Sequence, residues 1–141
     1  MVQGQDFEFL IDTRAAYTET DSLKRTMSKL PHIDAAFIPA KKIVNYLLSD
    51  AHEAGRDKAN FFKHFGFTSE AWEILARALR QHAAQHEITK IEPSPFGSRY
   101  VIEGSLQTPS GRVPQVRVVW FIDTGEIVPR FVTAYPLKGA Y

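Results

Sequence analysis

No cysteine occurs in the chain, which excludes disulfides, thiol nucleophiles and thiolate metal sites. Nor is there any run approaching the roughly 18 apolar residues that a membrane-spanning helix requires. The N-terminus carries acidic residues where a secretory signal would need a basic and then an apolar start. Charge of one sign is also missing: 17 Lys and Arg stand against 16 Asp and Glu, for a net charge of +1. The whole-molecule field of a general nucleic-acid binder is therefore absent, and any polyanion site must be local. Gly-x-Gly-x-x-Gly, a Walker loop, Gly-x-Ser-x-Gly and His-Glu-x-x-His are all absent, and with them the chemistry of dinucleotide folds, P-loops, α/β-hydrolases and zincins. These absences lead to the expectation of a soluble, cytoplasmic protein without cofactor or metal.

What is present is enough for a packed domain. The chain has 141 residues, 44% of them hydrophobic, long enough to build a core without covalent staples. Residues 1–26 hold scattered charges and one short apolar patch, Phe7 to Ile11, and read as an N-terminal extension, flexible or with one short strand. Apolar patterning becomes dense from Met27, so residues 27–141 are expected to form a single α+β domain.

Three helices are expected first. Pro39 suits the start of one, with Ile43, Val44, Leu47 and Leu48 at helical spacing to about Ser49. A polar loop around Gly55 follows. Lys58 to Phe65 reads as a second helix that Gly66 can end in a left-handed cap. Thr68 is a plausible N-cap for a third, whose face carries Trp72, Leu75, Ala76, Leu79 and Ala83 to about His86.

After Glu87 the period changes. Ile88 to Ile91, Arg99 to Leu106, Arg112 to Ile122 and Ile127 to Tyr135 read as strands separated by Pro, Gly and Ser-rich turns. The fold class is therefore α+β, with two to three N-terminal helices on one face of a three- to four-stranded antiparallel meander.

His82 and His86, four residues apart on the third helix, could share a metal, but no third ligand is evident. Exposed or helix-end histidines are the plainer reading. Asp123 is read as an isolated loop acid. The last strand interrupts its apolar residues with Arg130, Thr133 and Tyr135. By strict alternation Phe131, Thr133 and Tyr135 share one side and Arg130, Val132 and Ala134 the other. Lys58 lies six residues after His52, so the intervening loop can bring both to one site. Arg99, Arg112 and Arg117 read as solvated charges, or as positive potential beside Arg130.

Several of these residues carry a resemblance. Leu30-Pro31, Ala35, Pro39, Lys41-Lys42, Tyr46-Leu47-Leu48, His52-x-x-Gly55-x-x-Lys58-Ala59, Phe62, Gly66, Gly111-Arg112, Val119-Trp120 and Pro129-Arg130-Phe131-Val132-Thr133-Ala134-Tyr135 together resemble a small uncharacterised bacterial domain family. The likeness runs from about Met27 to Pro136. It departs at the loop, where the family's Asn-Pro-x-His-Pro is Ser49-Asp50-Ala51-His52-Glu53 here, without either proline. The family's layout is in turn similar to the barnase, EndoU, colicin and RelE group of metal-independent ribonuclease toxins, a likeness of fold that does not by itself decide function.

The resemblance implies RNA cleavage by attack of the ribose 2′-hydroxyl. His52 would be the acid or base, Lys58 and Arg130 would meet phosphate oxygens, Thr133 would donate a hydrogen bond, and Tyr135 would stack on a base or position the hydroxyl. His52, Lys58, Thr133 and Tyr135 are thus the expected catalytic set, with Arg130, Arg112 and Arg117 as substrate-binding cations. The expected partners are RNA and a cognate immunity or antitoxin protein, with no membrane. The other readings are a non-enzymatic protein-binding module or partner subunit of a toxin and immunity pair, and an accessory domain of a longer polypeptide.

Overall fold

The computed structural model describes residues 29–49 and 56–137. The expected N-terminal extension and residues 50–55 of the expected loop, His52 among them, lie outside the described residues.

Helices come first and a meander second. After a 3₁₀ turn at Ile33–Ala35 come α1 (Ala40–Lys42), which runs directly into a π-helical turn Ile43–Leu47, α2 (Arg56–His64) and α3 (Trp72–Gln85). Four strands follow, β1 (Ile88–Ser94), β2 (Gly97–Ser105), β3 (Gln115–Asp123) and β4 (Arg130–Pro136). They form one antiparallel sheet in the order β1-β2-β3-β4. Pro39 flanks α1 as its N-cap residue, and Gly66 has φ +100°, a left-handed value that most side chains resist. The Thr68 hydroxyl accepts from the Ala71 amide at 3.2 Å, so it closes the turn leading into α3 rather than capping its first residue.

Boundaries differ from expectation for identifiable reasons. Helix α2 begins at Arg56, two residues early, with Asp57 placed at the positive end of its dipole. Pro93, expected in a turn, lies inside β1 opposite Ser98. An edge strand tolerates a proline because one side of it needs no amide donors. Strand β3 starts at Gln115 rather than Arg112; the chain before Arg112 turns at Thr108 to Gly111, where the Ser110 amide bonds the Phe65 carbonyl at 3.2 Å.

The core lies between the helices and one sheet face. Phe62, Phe65, Leu75, Leu79 and Ala83 pack against Ile102, Val116, Val118, Trp120, Phe131 and Ala134, all at most 2% exposed. Trp120 and Phe131 meet edge to face at 5.8 Å between centroids, a favoured aromatic geometry.

Phe131 and Ala134 both face this core although they are three residues apart, which strict alternation forbids. The register explains it: Trp120 pairs with Phe131 and Val119 with Thr133, leaving Val132 as an extra residue in β4. A β-bulge of this kind reverses the facing of everything beyond it. The expected parity is therefore corrected. Thr133 and Tyr135 do not share the side of Phe131; together with Arg130 they point away from the core. The Lys42 ammonium donates to the Val132 carbonyl at 3.1 Å, satisfying a group at the bulge. Further along the same edge, the Phe131 amide donates to the Phe37 carbonyl and the Phe37 amide to the Pro129 carbonyl, both at 2.9 Å.

Candidate functional site

The outer sheet face carries the polar chemistry. Alternation puts Arg99, Val101 and Glu103 of β2, Arg117 and Val119 of β3, and Thr133 and Tyr135 of β4 on it. Val101 and Val119 are buried there, flooring an otherwise charged surface.

Three elements converge at its β4 edge. The first turn of α2 supplies Lys58, whose ammonium donates to Thr133 Oγ1 at 3.1 Å and to the Tyr46 hydroxyl at 3.0 Å. Tyr46 leaves the π-helical turn while its neighbours Ile43 and Leu47 are buried, and its hydroxyl lies 3.4 Å from Thr133 Oγ1. Lys42 and Lys58 stand 5.3 and 5.2 Å from the Tyr46 ring centre, and Lys58 is also 5.4 Å from that of Tyr135. These are cation–π distances. Hydrogen bonding with Lys58 and then Thr133, reinforced by both ammonium charges, holds the Tyr46 phenol below its ordinary pKa despite partial burial.

The hydrogens can be counted. Lys58 has three N–H donors and the two hydroxyls keep one hydrogen each, because both accept from Lys58. At most one hydroxyl hydrogen serves the Tyr46–Thr133 contact. Among the described residues, at least one O–H and one N–H remain for an incoming acceptor. No described carboxylate forms an ion pair with Lys58.

Tyr135 extends the cluster inward. Arg117 Nη1 donates to its hydroxyl at 3.2 Å, and Arg117 Nε to Glu103 Oε2 at 2.6 Å. The Tyr135 contact and then the Glu103 carboxylate hold the guanidinium proton more tightly than usual. Beside them Val101, Glu103, Arg117 and Tyr135 help to line a shallow depression of about 160 Å³.

Of the expected residues, the structure therefore brings together Lys58, Thr133 and Tyr135, with Arg117 next to Tyr135. Arg130, expected on the opposite face, shares their face because of the bulge. It lies three residues from Thr133, roughly 10 Å at strand rise, and is bound to Asp123 by Nε at 2.9 Å and Nη2 at 3.2 Å. Asp123 is thus no isolated acid: Arg130 holds its carboxyl below the usual range. Arg112 does not join the cluster. It sits against His64 and Phe65 at the C-terminal end of α2, some six residues or about 9 Å along the helix from Lys58.

The histidine pair also departs from expectation. His82 is 1% exposed, its Nε2 3.2 Å from the Gly104 carbonyl, and His86 Nε2 lies 2.9 Å from that of Ser105. A Cβ on Gly104 would fall 2.5 Å from the His86 ring, so only glycine allows this approach. Burial, with the neighbouring His86, pushes the His82 pKa down to about 4 against the opposing pull of the Gly104 and Val116 carbonyls. Among the described residues no group of three or more His, Cys, Asp or Glu gathers.

Tyr46 and Lys42 were missed as site residues. The signal available was their spacing, a cation four residues before an aromatic, on the segment whose Ile43 and Leu47 anchor it to the core.

Residues 29–138 match the family described as Domain of unknown function (DUF6883), nearly the span over which the resemblance runs. The chain belongs to the DUF6883 family. No curated protein matches the sequence. Among solved structures, this DUF6883 chain is similar to a chain of a contact-dependent growth inhibition toxin–immunity protein complex from Klebsiella pneumoniae 342. Identity is 21% and the TM-score 0.62, over 77% of the DUF6883 chain and 98% of the other; at that identity the likeness is one of fold. No helix among the described residues is long and apolar enough to cross a membrane.

Proposed function

We propose that this chain is the toxin half of a toxin–immunity type pair, and that it cleaves RNA by attack of a ribose 2′-hydroxyl on the adjacent phosphorus. One observation carries the reading: a half-buried lysine is held by two hydroxyls rather than by a described carboxylate, so its charge and one spare N–H are available to an anion. The likeness in fold to a chain of a toxin–immunity complex supports the toxin setting.

In this reading Lys58 and Arg117 meet the phosphate oxygens. Thr133 donates its remaining hydroxyl hydrogen, and Tyr135 offers a ring for a base to stack on. His52 is proposed as a proton-transfer group on the sequence pattern alone. The products are a 2′,3′-cyclic phosphate and a 5′-hydroxyl, atoms balanced by loss of the 2′-proton and protonation of the leaving 5′-oxygen.

The test is incubation of the folded chain with cellular RNA in the presence of a chelator, followed by analysis of fragment ends. Cyclic phosphate and 5′-hydroxyl ends from wild type and intact RNA with Lys58→Met support the reading; intact RNA with wild type rejects it.

A second reading, a non-enzymatic binding subunit of such a pair, is favoured by a different observation. Phe37, Phe96 and Ile127 are 61, 79 and 65% exposed at the hairpin end of the sheet, where Phe37 pairs with Arg130 and the Thr124 amide bonds the Phe96 carbonyl. Exposed aromatic and aliphatic side chains gathered at one end suit a protein partner.

A further inference from the structure

We propose that Tyr46 is the general acid of this site, donating its phenolic proton to the 5′-oxygen that leaves as RNA is cleaved. The proposal rests on the ribonuclease reading and adds a catalytic residue to it.

The argument begins with what a leaving 5′-alkoxide needs. It departs as a strong base, so a positioned acid is worth roughly 10²–10⁴ in rate. That acid must be protonated at neutral pH yet give up its proton more readily than an ordinary phenol. Lys58 donates to the Tyr46 oxygen at 3.0 Å, so the hydroxyl hydrogen must point elsewhere, to Thr133 or to a bound substrate. Losing the proton leaves a phenolate beside two ammonium groups, Lys58 of α2 and Lys42 of α1, each about 5 Å from the ring. The charge that develops as the proton leaves is thus met by fixed cations already in place. The lowered pKa of the phenol, caused first by the Lys58 hydrogen bond, agrees with this geometry.

Accessibility agrees as well. Tyr46 is 38% exposed although it leaves a turn whose Ile43 and Leu47 are fully buried. The π-helical geometry of that turn, with the Leu48 amide bonded to the Ile43 carbonyl at 2.8 Å, inserts a residue relative to an α-helix. Such turns recur at functional sites. Among the described residues, the groups facing Tyr46 from packed elements are Lys42, Lys58 and Thr133, with the Tyr135 ring 5.4 Å from the same Lys58 ammonium.

The step balances. The 2′-oxygen to phosphorus bond forms as the 2′-proton passes to a base in solution; the phosphorus to 5′-oxygen bond breaks; the Tyr46 proton moves to the 5′-oxygen. The phenolate then regains a proton from water.

The experiment compares wild type, Tyr46→Phe and Lys58→Met on two substrates, ordinary RNA and the same oligonucleotide with a 5′-bridging sulfur at the scissile linkage. A thiolate leaves without protonation, so loss of an acid is rescued there while loss of a phosphate-binding cation is not. Expected are a fall of about 100-fold for Tyr46→Phe on RNA, recovery to within about threefold of wild type on the sulfur substrate, and a large deficit that persists on the sulfur substrate for Lys58→Met, which loses phosphate binding as well as support of the acid. In addition, the wild-type rate on RNA should fall as pH rises through the titration of Tyr46, read from the tyrosinate absorbance difference between wild type and Tyr46→Phe. Equal losses on both substrates, or no loss on RNA, overturn the role of Tyr46 while the ribonuclease reading stands. Intact RNA with folded wild type removes that reading itself and this inference with it.

Discussion

Two polar clusters join a helix to a strand in this protein, and they have opposite characters. His82 of α3 and His86, just beyond its end, reach the carbonyls of Gly104 and Ser105 on β2, on the core side. Lys58 of α2 reaches Thr133 of β4 on the outer side, with Tyr46 between. Burial expels charge from the first cluster, since His82 prefers to stay neutral down to about pH 4. Hydroxyl partners in the second accept hydrogen bonds without cancelling charge. The i, i+4 histidines are the more conspicuous motif in the sequence, yet the Nε2 of each is spent on a backbone carbonyl. Availability of donors and charge, rather than the presence of ionisable residues, separates a candidate site from an internal brace.

The sharpest way to break this comparison is Lys58→Met, which keeps the stem and removes the ammonium. Under the ribonuclease reading kcat/KM should fall about 10²–10³-fold with little change in thermal midpoint. A loss of folding instead would make Lys58 a brace like His82. On the other side, His82 should dominate acid sensitivity. Between its unfolded value of 6.5 and its folded value of about 4 the unfolded chain binds more protons, so stability falls as pH falls through that window, by about 3 kcal/mol. Urea titrations at pH 7 and pH 4 should show that loss in wild type and most of it missing in His82→Gln.

Smaller effects sharpen the contrast. Thr133→Val preserves shape and deletes the hydroxyl, and should cost about tenfold in cleavage, the worth of one hydrogen bond to a charged group. Arg130→Gln should change cleavage by no more than about twofold, because Asp123 already balances that guanidinium and exposed ion pairs contribute little. A large effect at Arg130 would show that the site extends to the hairpin end.

Much of this was legible beforehand. The switch from 3.6 to 2 in apolar period announced helices before strands, and Gly66 marked a helix end. Thr133 and Tyr135 could be named because they interrupt an otherwise apolar strand, and Lys58 because it opens the second helix six residues after His52. The bulge at Val132 could not be read, since an extra residue leaves no mark in a β-branched run and alternation then assigns faces wrongly. Burial of His82 depended on Gly104, a partner 22 residues away. Tyr46 escaped notice because its segment was read as a regular helix, whereas its π-helical turn is set by tertiary packing of Ile43 and Leu47.

The extra residue in β4 works as a frameshift within a strand. Upstream of Val132, Phe131 sets how the strand seats on Trp120; downstream, Thr133 and Tyr135 are read in the other frame and shown to solvent. Deleting Val132 would remove the bulge and leave both hydroxyls outside, whereas pairing Val132 in regular register would turn them toward the core with every side chain still in the sequence. Anchoring and display are thus separable along one short strand, and the residue that separates them is itself pinned through its carbonyl by Lys42, a neighbour of the phenol it helps to polarise.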